Sequence, residues 1–372
     1  MKRTDALFKL AKLLMLKEGD EELFNIVQHD EWEYIIKEAN KNLLVPALYV
    51  SLKNANFYDK LEDEMLKGYL YEMYILNKQR NEAILKQLKK ICFNLNSSGV
   101  TPLLLKGAAS LSEDYFEDLG VRCMMDVDLL VEKDKIFDAV NILKNMGYNE
   151  MDSHLKLGKR WHHYYRMYKS LEPAAVEMHR MIISNKAVKY MGYGYVTKES
   201  KIGKSSVLDI TDEVYFTFLH SEVAHNLYHD FEISLRHLHH NAVLMTKYVN
   251  QIDFNKINDL IKNYKLEKIW FEYLWIMKKI FGIEIPFYIP EMKKYESKIK
   301  KRMNNKGEFL WKIDKFLYLS KKAFVFENMQ NRYDGLKNRY QMLYYAPLRF
   351  VTLSYQLAFD SKKRKNIRKS LK

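Results

Sequence analysis

Chain-breaking residues are scarce: 13 glycines and 6 prolines in 372 residues, less than half the share of an average globular protein. That excludes collagen-like, linker-rich and loop-dominated designs and points to long helices. Cysteine is scarcer still. Cys92 and Cys123 cannot build a disulfide framework or a four-thiolate zinc site, so a reduced, cytoplasmic setting is expected. No run of 18 apolar residues occurs, and no membrane-spanning helix is expected. The opening MKRTDALFKLAKLLMLKEGD turns from basic to apolar. Lys12 interrupts its apolar run and no small-residue cleavage site follows, so an amphipathic helix of the mature protein is expected rather than a leader.

Apolar residues make up 48% and charged residues 29% of the chain, the balance of a soluble globular protein of two to three domains. The net charge is +14, and half of it sits in the last twelve residues, SKKRKNIRKSLK, which contain no acid. Such a tail reads as a disordered, solvated segment or as a contact for nucleic acid or an anionic membrane. Charge alone does not choose.

Along the chain the hydrophobic period changes twice. Residues 1–98 read as helices, with Leu7, Leu10, Leu13 and Leu14 on one face and one long helix or two between Tyr58 and Leu95, stopped by NLNSSG. Val100–Leu105 and Asp126–Val131 are short apolar runs of strand length. Between Lys133 and Met146 a helix is expected, with Ile136, Phe137, Val140 and Leu143 on its buried face. Trp161–Tyr168 and Ala174–His179 look like paired antiparallel strands, and Tyr193–Ile210 like strand and loop. From Thr211 helices return: Glu213–Tyr228 capped by Thr211 or Asp212, then Phe231–Tyr248, Phe254–Asn263, Leu266–Phe281, Glu308–Phe326 and Asn331–Phe359. The expected fold is α+β and mainly helical. A small mixed sheet at 99–210 lies between helical regions 1–98 and 211–360, with residues 361–372 as the basic tail.

The chemistry concentrates in the middle block. In Asp126-Val127-Asp128 a strand would put both carboxylates on one face. Two adjacent carboxylates repel, so a divalent cation is their natural partner, and hard oxygen ligands suit Mg²⁺ or Mn²⁺. Glu177 and His179 share the face opposite Val176 and Met178. If the two strands are neighbours, Glu177 completes a three-carboxylate site able to hold two metals about 3.5–4 Å apart. Lys106-Gly107 ends the first strand, where a glycine turn and a lysine suit phosphate. Six of the eleven histidines fall between His220 and His240. His225 and His229 stand at the i, i+4 spacing of zinc ligands, but a polar helix pair packed on the core is the plainer reading. His162 and Tyr164 would share a strand face that could line an acceptor cleft.

The stretch LLLKGAASLSEDYFEDLGVRCMMDVDLLV, a following helix and MGY, then VEMHRMI together resemble the uncharacterised bacterial nucleotidyltransferase family of the polymerase-β-like superfamily. The superfamily's Gly-Ser before the carboxylates is replaced here by Lys106-Gly107, with Ser110 as a stand-in hydroxyl. The family's later Arg-Trp-Leu-and-Asp stretch corresponds to Leu235-Arg236-His237-Leu238-His239-His240. The resemblance implies metal ligation by Asp126, Asp128 and Glu177, with Glu177 as ligand or base. Lys106, Gly107, Ser110, Arg122 and His179 would contact the nucleotide. It implies transfer of a nucleoside monophosphate from a nucleoside triphosphate to an acceptor, releasing pyrophosphate. The acceptor is expected to be a small molecule, peptide or protein. RNA-end transfer and an inactive binding module are the alternatives.

Overall fold

The computed structural model describes residues 3–27, 29–151, 161–192, 194–230 and 232–289. Two compact units divide the chain: Met1–Asn226 with Ser234–Lys293, and Leu227–Ile233 with Lys294–Lys372. The expected helices Glu308–Phe326 and Asn331–Phe359, and the basic tail, lie outside the described residues. No described helix is long and apolar enough to cross a membrane.

The fold is α+β with a helical bias. The N-terminal helices are α1 (Arg3–Leu13), α2 (Glu21–Asn25), α3 (Trp32–Lys41) and α4 (Val45–Asn54). Leu7, Leu10 and Leu13 of the first, and Leu14 just after it, are buried as their spacing predicts. A single uninterrupted helix follows, α5 (Glu64–Ser97), whose N-cap Asp63 accepts from the amides of Met65 and Leu66. Its buried stripe mixes Leu70, Ile84, Leu88, Ile91 and Leu95 with the polar Asn77, Asn81 and Gln87.

The sheet has seven strands among the described residues: β1 (Leu103–Leu105), β2 (Asp126–Leu130), β3 (Asn149–Glu150), β4 (Met167–Tyr168), β5 (Ala175–His179), β6 (Thr197–Glu199) and β7 (Ser206–Leu208). Their order is β3-β4-β5-β2-β1-β7-β6. The sheet is mixed: β2 runs antiparallel to β1 and parallel to β5. Two helices cross between these strands, α6 (Lys106–Ser112) and α7 (Ile136–Asn145). On α7 the buried face is Ile136, Ala139, Val140 and Leu143, while Phe137 is exposed. Phe137 instead lies edge-on to Trp161 and Tyr164. The expected strand Trp161–Tyr168 is strand only at Met167–Tyr168, plus a single bridge from His163 to His179.

After the sheet come α8 (Ile210–Phe218), α9 (Leu227–Asp230), α10 (Leu235–Lys247), α11 (Phe254–Asn263) and α12 (Glu267–Phe281). The cap of α8 is Asp209, whose carboxylate accepts from the Asp212 amide. Thr211 and Asp212, the expected caps, are already helical and buried. Leu219–Ala224 continue α8 as one π-helical turn, and Asn226 then takes a left-handed φ of 62°. That break ends the helix expected to run from Glu213 to Tyr228.

Candidate active site

The register of β2 on β5 builds the centre. Asp128 pairs with Glu177, and Leu130 with His179. Val127, Leu129, Val176 and Met178 point the other way and are completely buried. Four apolar side chains thus anchor the two strands while the polar face of each turns to one cavity of about 500 Å³. Asp128, Glu177 and His179 each offer a ligand atom there, all within 4.8 Å of one another.

Asp128 is the most enclosed acid, 2% exposed. Its Oδ1 accepts from Lys106 Nζ at 2.6 Å and from His179 Nε2 at 2.9 Å. Burial alone would raise this carboxyl, but Lys106 and the His179 hydrogen bond hold it at about 2. His179 lies 3.6 Å from Glu177 Oε2, and Arg166 Nε is 3.8 Å from Glu177 Oε1. Burial opposes the charged imidazole of His179, yet its bonds to Asp128 and Glu177 raise it above its ordinary value. Asp126 opens the strand, half-buried, and lines the same cavity. Burial, then the charges of Asp128 and Glu177, push it up to about 6.

Lys106 reaches Asp128 from the junction of β1 and α6, where its own backbone is left-handed at φ 53°. A branched or bulky residue would resist that turn, and an extended one would aim the ammonium elsewhere. Gly107 follows because there is no room for more: a Cβ there would stand 2.9 Å from Met124 Cβ. Both line the cavity with Arg122 and His179. Ser110 does not. Its hydroxyl donates to the Lys106 carbonyl at 3.0 Å within α6, a local helix bond.

The cavity also takes in residues left without a firm role by the sequence. Arg236, in the first turn of α10, lines it, as do Glu213, His163, His220, His225, His237 and His240, and so does His162, as its strand face suggested. The density of histidines between 220 and 240 was the available signal. The π-turn brings His220 and His225 together, with Nε2 atoms 3.2 Å apart. Burial lowers His220, His237 and His240 well below the ordinary histidine value, so this wall is uncharged at neutral pH. Tyr164 faces away from it, donating to Glu150 Oε1 at 2.6 Å. Glu213 is fully buried, 3.2 Å from His240 Nε2, and burial pushes it up to about 8.

The donor set suits a hard divalent cation with one nitrogen ligand. The Lys106 ammonium, seated on the Asp128 oxygen, already occupies a cation's place there. A sequence profile of the family described as uncharacterised nucleotidyltransferase matches residues 28–282. The chain belongs to this family. No curated protein and no solved structure matches it. The family's profile begins within the N-terminal helices and ends just past α12, so it takes in the whole sheet and the cavity wall on α10.

Proposed function

We propose that the chain is a divalent-metal-dependent nucleotidyltransferase of the cytoplasm, using Mg²⁺ or Mn²⁺ to move a nucleoside monophosphate from a nucleoside triphosphate to an acceptor nucleophile. The observation that carries this reading is the convergence of Asp128, Glu177 and His179 beside the Lys106-Gly107 turn, on the polar ends of two parallel strands. Asp128 and Glu177, with Asp126 or His179, would hold the metal, which when bound neutralises phosphate charge and polarises the α-phosphoryl group.

The protein's own residues do the rest. Lys106, Gly107 and Arg122 line the cavity where phosphate oxygens would sit, and a lysine and a guanidinium both favour them. The acceptor oxygen bonds to the α-phosphorus, the bond to the bridging oxygen breaks, and pyrophosphate departs with that electron pair. The acceptor proton needs a base in reach. Where His179 completes the metal's ligands, Asp126, half-buried in the same cavity, is left to take that proton. Positioning and charge neutralisation would supply most of the rate gain. The uncharged histidine wall leaves room for a small-molecule, peptide or protein acceptor.

The test is label transfer. Purified protein, Mg²⁺ or Mn²⁺ and each labelled triphosphate are incubated with cell extract. Wild type should transfer label, and Asp128→Asn and Glu177→Gln should lose at least about a hundredfold of the rate. Equal labelling by wild type and both variants would remove these acids from the mechanism.

A further inference from the structure

The cavity separates its charges. Asp128 is tied to Lys106 and His179, and Glu177 to His179 and Arg166. The two arginines that line the same cavity are tied to nothing. Among the described residues neither the Arg122 nor the Arg236 side chain has a hydrogen bond or a carboxylate at ion-pair distance, and Arg122 Nε is shut off from solvent without a partner. Each carries a full charge that burial disfavours, and burial lowers Arg122 to about 10, with Arg236 as the next cause. Arg236 is lowered too, again first by burial. Two like charges close enough to perturb each other, both desolvated and met by the carboxylates of Asp126, Asp128 and Glu213 only beyond ion-pair distance, are costly to keep.

We propose that Arg122 and Arg236 form a phosphate-binding site that takes its anion without any metal ion. A guanidinium fork matches two phosphate oxygens, and two forks from different elements match a di- or triphosphate or a phosphate ester held between them. Arg122 is fixed from behind, because Asn77 and Asn81 of α5 donate to its carbonyl at 3.3 and 2.8 Å. Arg236 is fixed by its place in the first turn of α10, whose leading amide, at Leu235, donates to Asn42 Oδ1 at 3.1 Å. His237, whose Nδ1 is 2.8 Å from Ser234 Oγ, feels both arginines and is kept uncharged by burial, so it adds no further repulsion. The anion site stands on these contacts alone. Its phosphate source rests on the transferase reading: it is the tail of the triphosphate or a phosphate carried by the acceptor.

The experiment is calorimetric titration of the full chain in buffer with a chelator, using inorganic tripolyphosphate and, separately, inorganic phosphate. Tripolyphosphate should bind without metal. Arg122→Gln and Arg236→Gln should each weaken it roughly tenfold or more, and Lys53→Gln, on an exposed helix face outside the cavity, should not. Arg236→Lys, which keeps the charge and loses the fork, should also bind more weakly. Thermal melts show which variants are folded, and if Arg122→Gln is not, the two Arg236 variants carry the test. Tripolyphosphate binding displaced by a non-hydrolysable triphosphate assigns the site to the nucleotide tail. Inorganic phosphate that binds as well and persists beside that analogue assigns it to the acceptor. Folded wild type that binds neither anion at millimolar concentration, or arginine variants that bind like wild type, overturns the proposal. Anion binding in a protein that transfers no label would count against the transferase reading and leave this one standing.

Discussion

Lys106 shows how much one residue can carry. Its left-handed backbone, φ 53°, costs on the order of 1 kcal/mol, and the ion pair to Asp128 at 2.6 Å offsets it. The ammonium sits on the same Asp128 oxygen that a cation would need, and His179 donates to that oxygen as well. A cation taking that oxygen would have to displace Lys106, and a lysine freed from Asp128 would be free to meet phosphate. Lys106→Met should tighten nucleotide-free Mn²⁺ binding roughly three- to tenfold, read by electron paramagnetic resonance titration at pH 7.5, while transfer at low triphosphate falls. Unchanged or weaker Mn²⁺ binding would show that the lysine is no competitor. Lys106, Asp126, Asp128 and Glu177 could be picked out from the sequence because strand alternation and one glycine turn are local patterns. The direction of Lys106 could not, because a positive φ at a non-glycine residue leaves no mark in composition. Arg236 was named in the sequence only as part of a stretch without a role, because that it lines the cavity with no carboxylate at ion-pair distance is visible only in three dimensions.

At the scale of elements, α5 holds the site from behind. Tyr74 donates to Asp118, Asn77 to the Gly120 carbonyl at 2.7 Å, and Asn81 to those of Leu119 and Arg122 at 2.5 and 2.8 Å. Arg80 reaches the Met124 and Pro173 carbonyls, and Gln87 that of Ala174 at 2.8 Å. Buried backbone carbonyls need partners, and this row of side chains supplies them to the segments that lead into β2 and β5. Asn81→Ala should leave the Leu119 carbonyl bare and the Arg122 carbonyl with Asn77 alone, and cost about 1–3 kcal/mol, seen as a lower midpoint in urea. A loss under about 0.5 kcal/mol would mean water replaces the amide without penalty. The apolar rhythm of α5 was legible, while whether it was one helix or two stayed open. The purpose of Asn77, Asn81 and Gln87 on its buried stripe was not, since their partners are backbone atoms some 40 to 90 positions away. The π-turn after α8 was equally illegible. The pattern Glu213–Tyr228 is continuous in hydrophobicity, and only the geometry separates an i+4 from an i+5 repeat.

For the whole molecule, the buried Glu213 ties stability to pH. Its carboxyl rises from 4.5 to about 8 on folding, so the folded chain holds a proton the unfolded chain gives up. The resulting stabilisation is complete below the unfolded value, and it is lost as pH climbs from about 4.5 to about 8. Melting temperature should fall over that interval in wild type and fall less in Glu213→Gln, a difference on the order of a few kcal/mol at pH 8.5. Identical pH profiles would mean Glu213 is charged in the fold. The α+β class and the small mixed sheet followed from the change of hydrophobic period near residue 99. The order of the strands did not, because pairing across the sheet depends on register rather than on local pattern. That register has a kinetic consequence. Asp128 and His179 stand 51 positions apart and meet only when β5 docks on β2, an encounter that closes a long loop and is intrinsically slow. In refolding from urea, Mn²⁺ capture should therefore lag behind the recovery of helix signal from α5, making the ion a clock for the closing of the sheet.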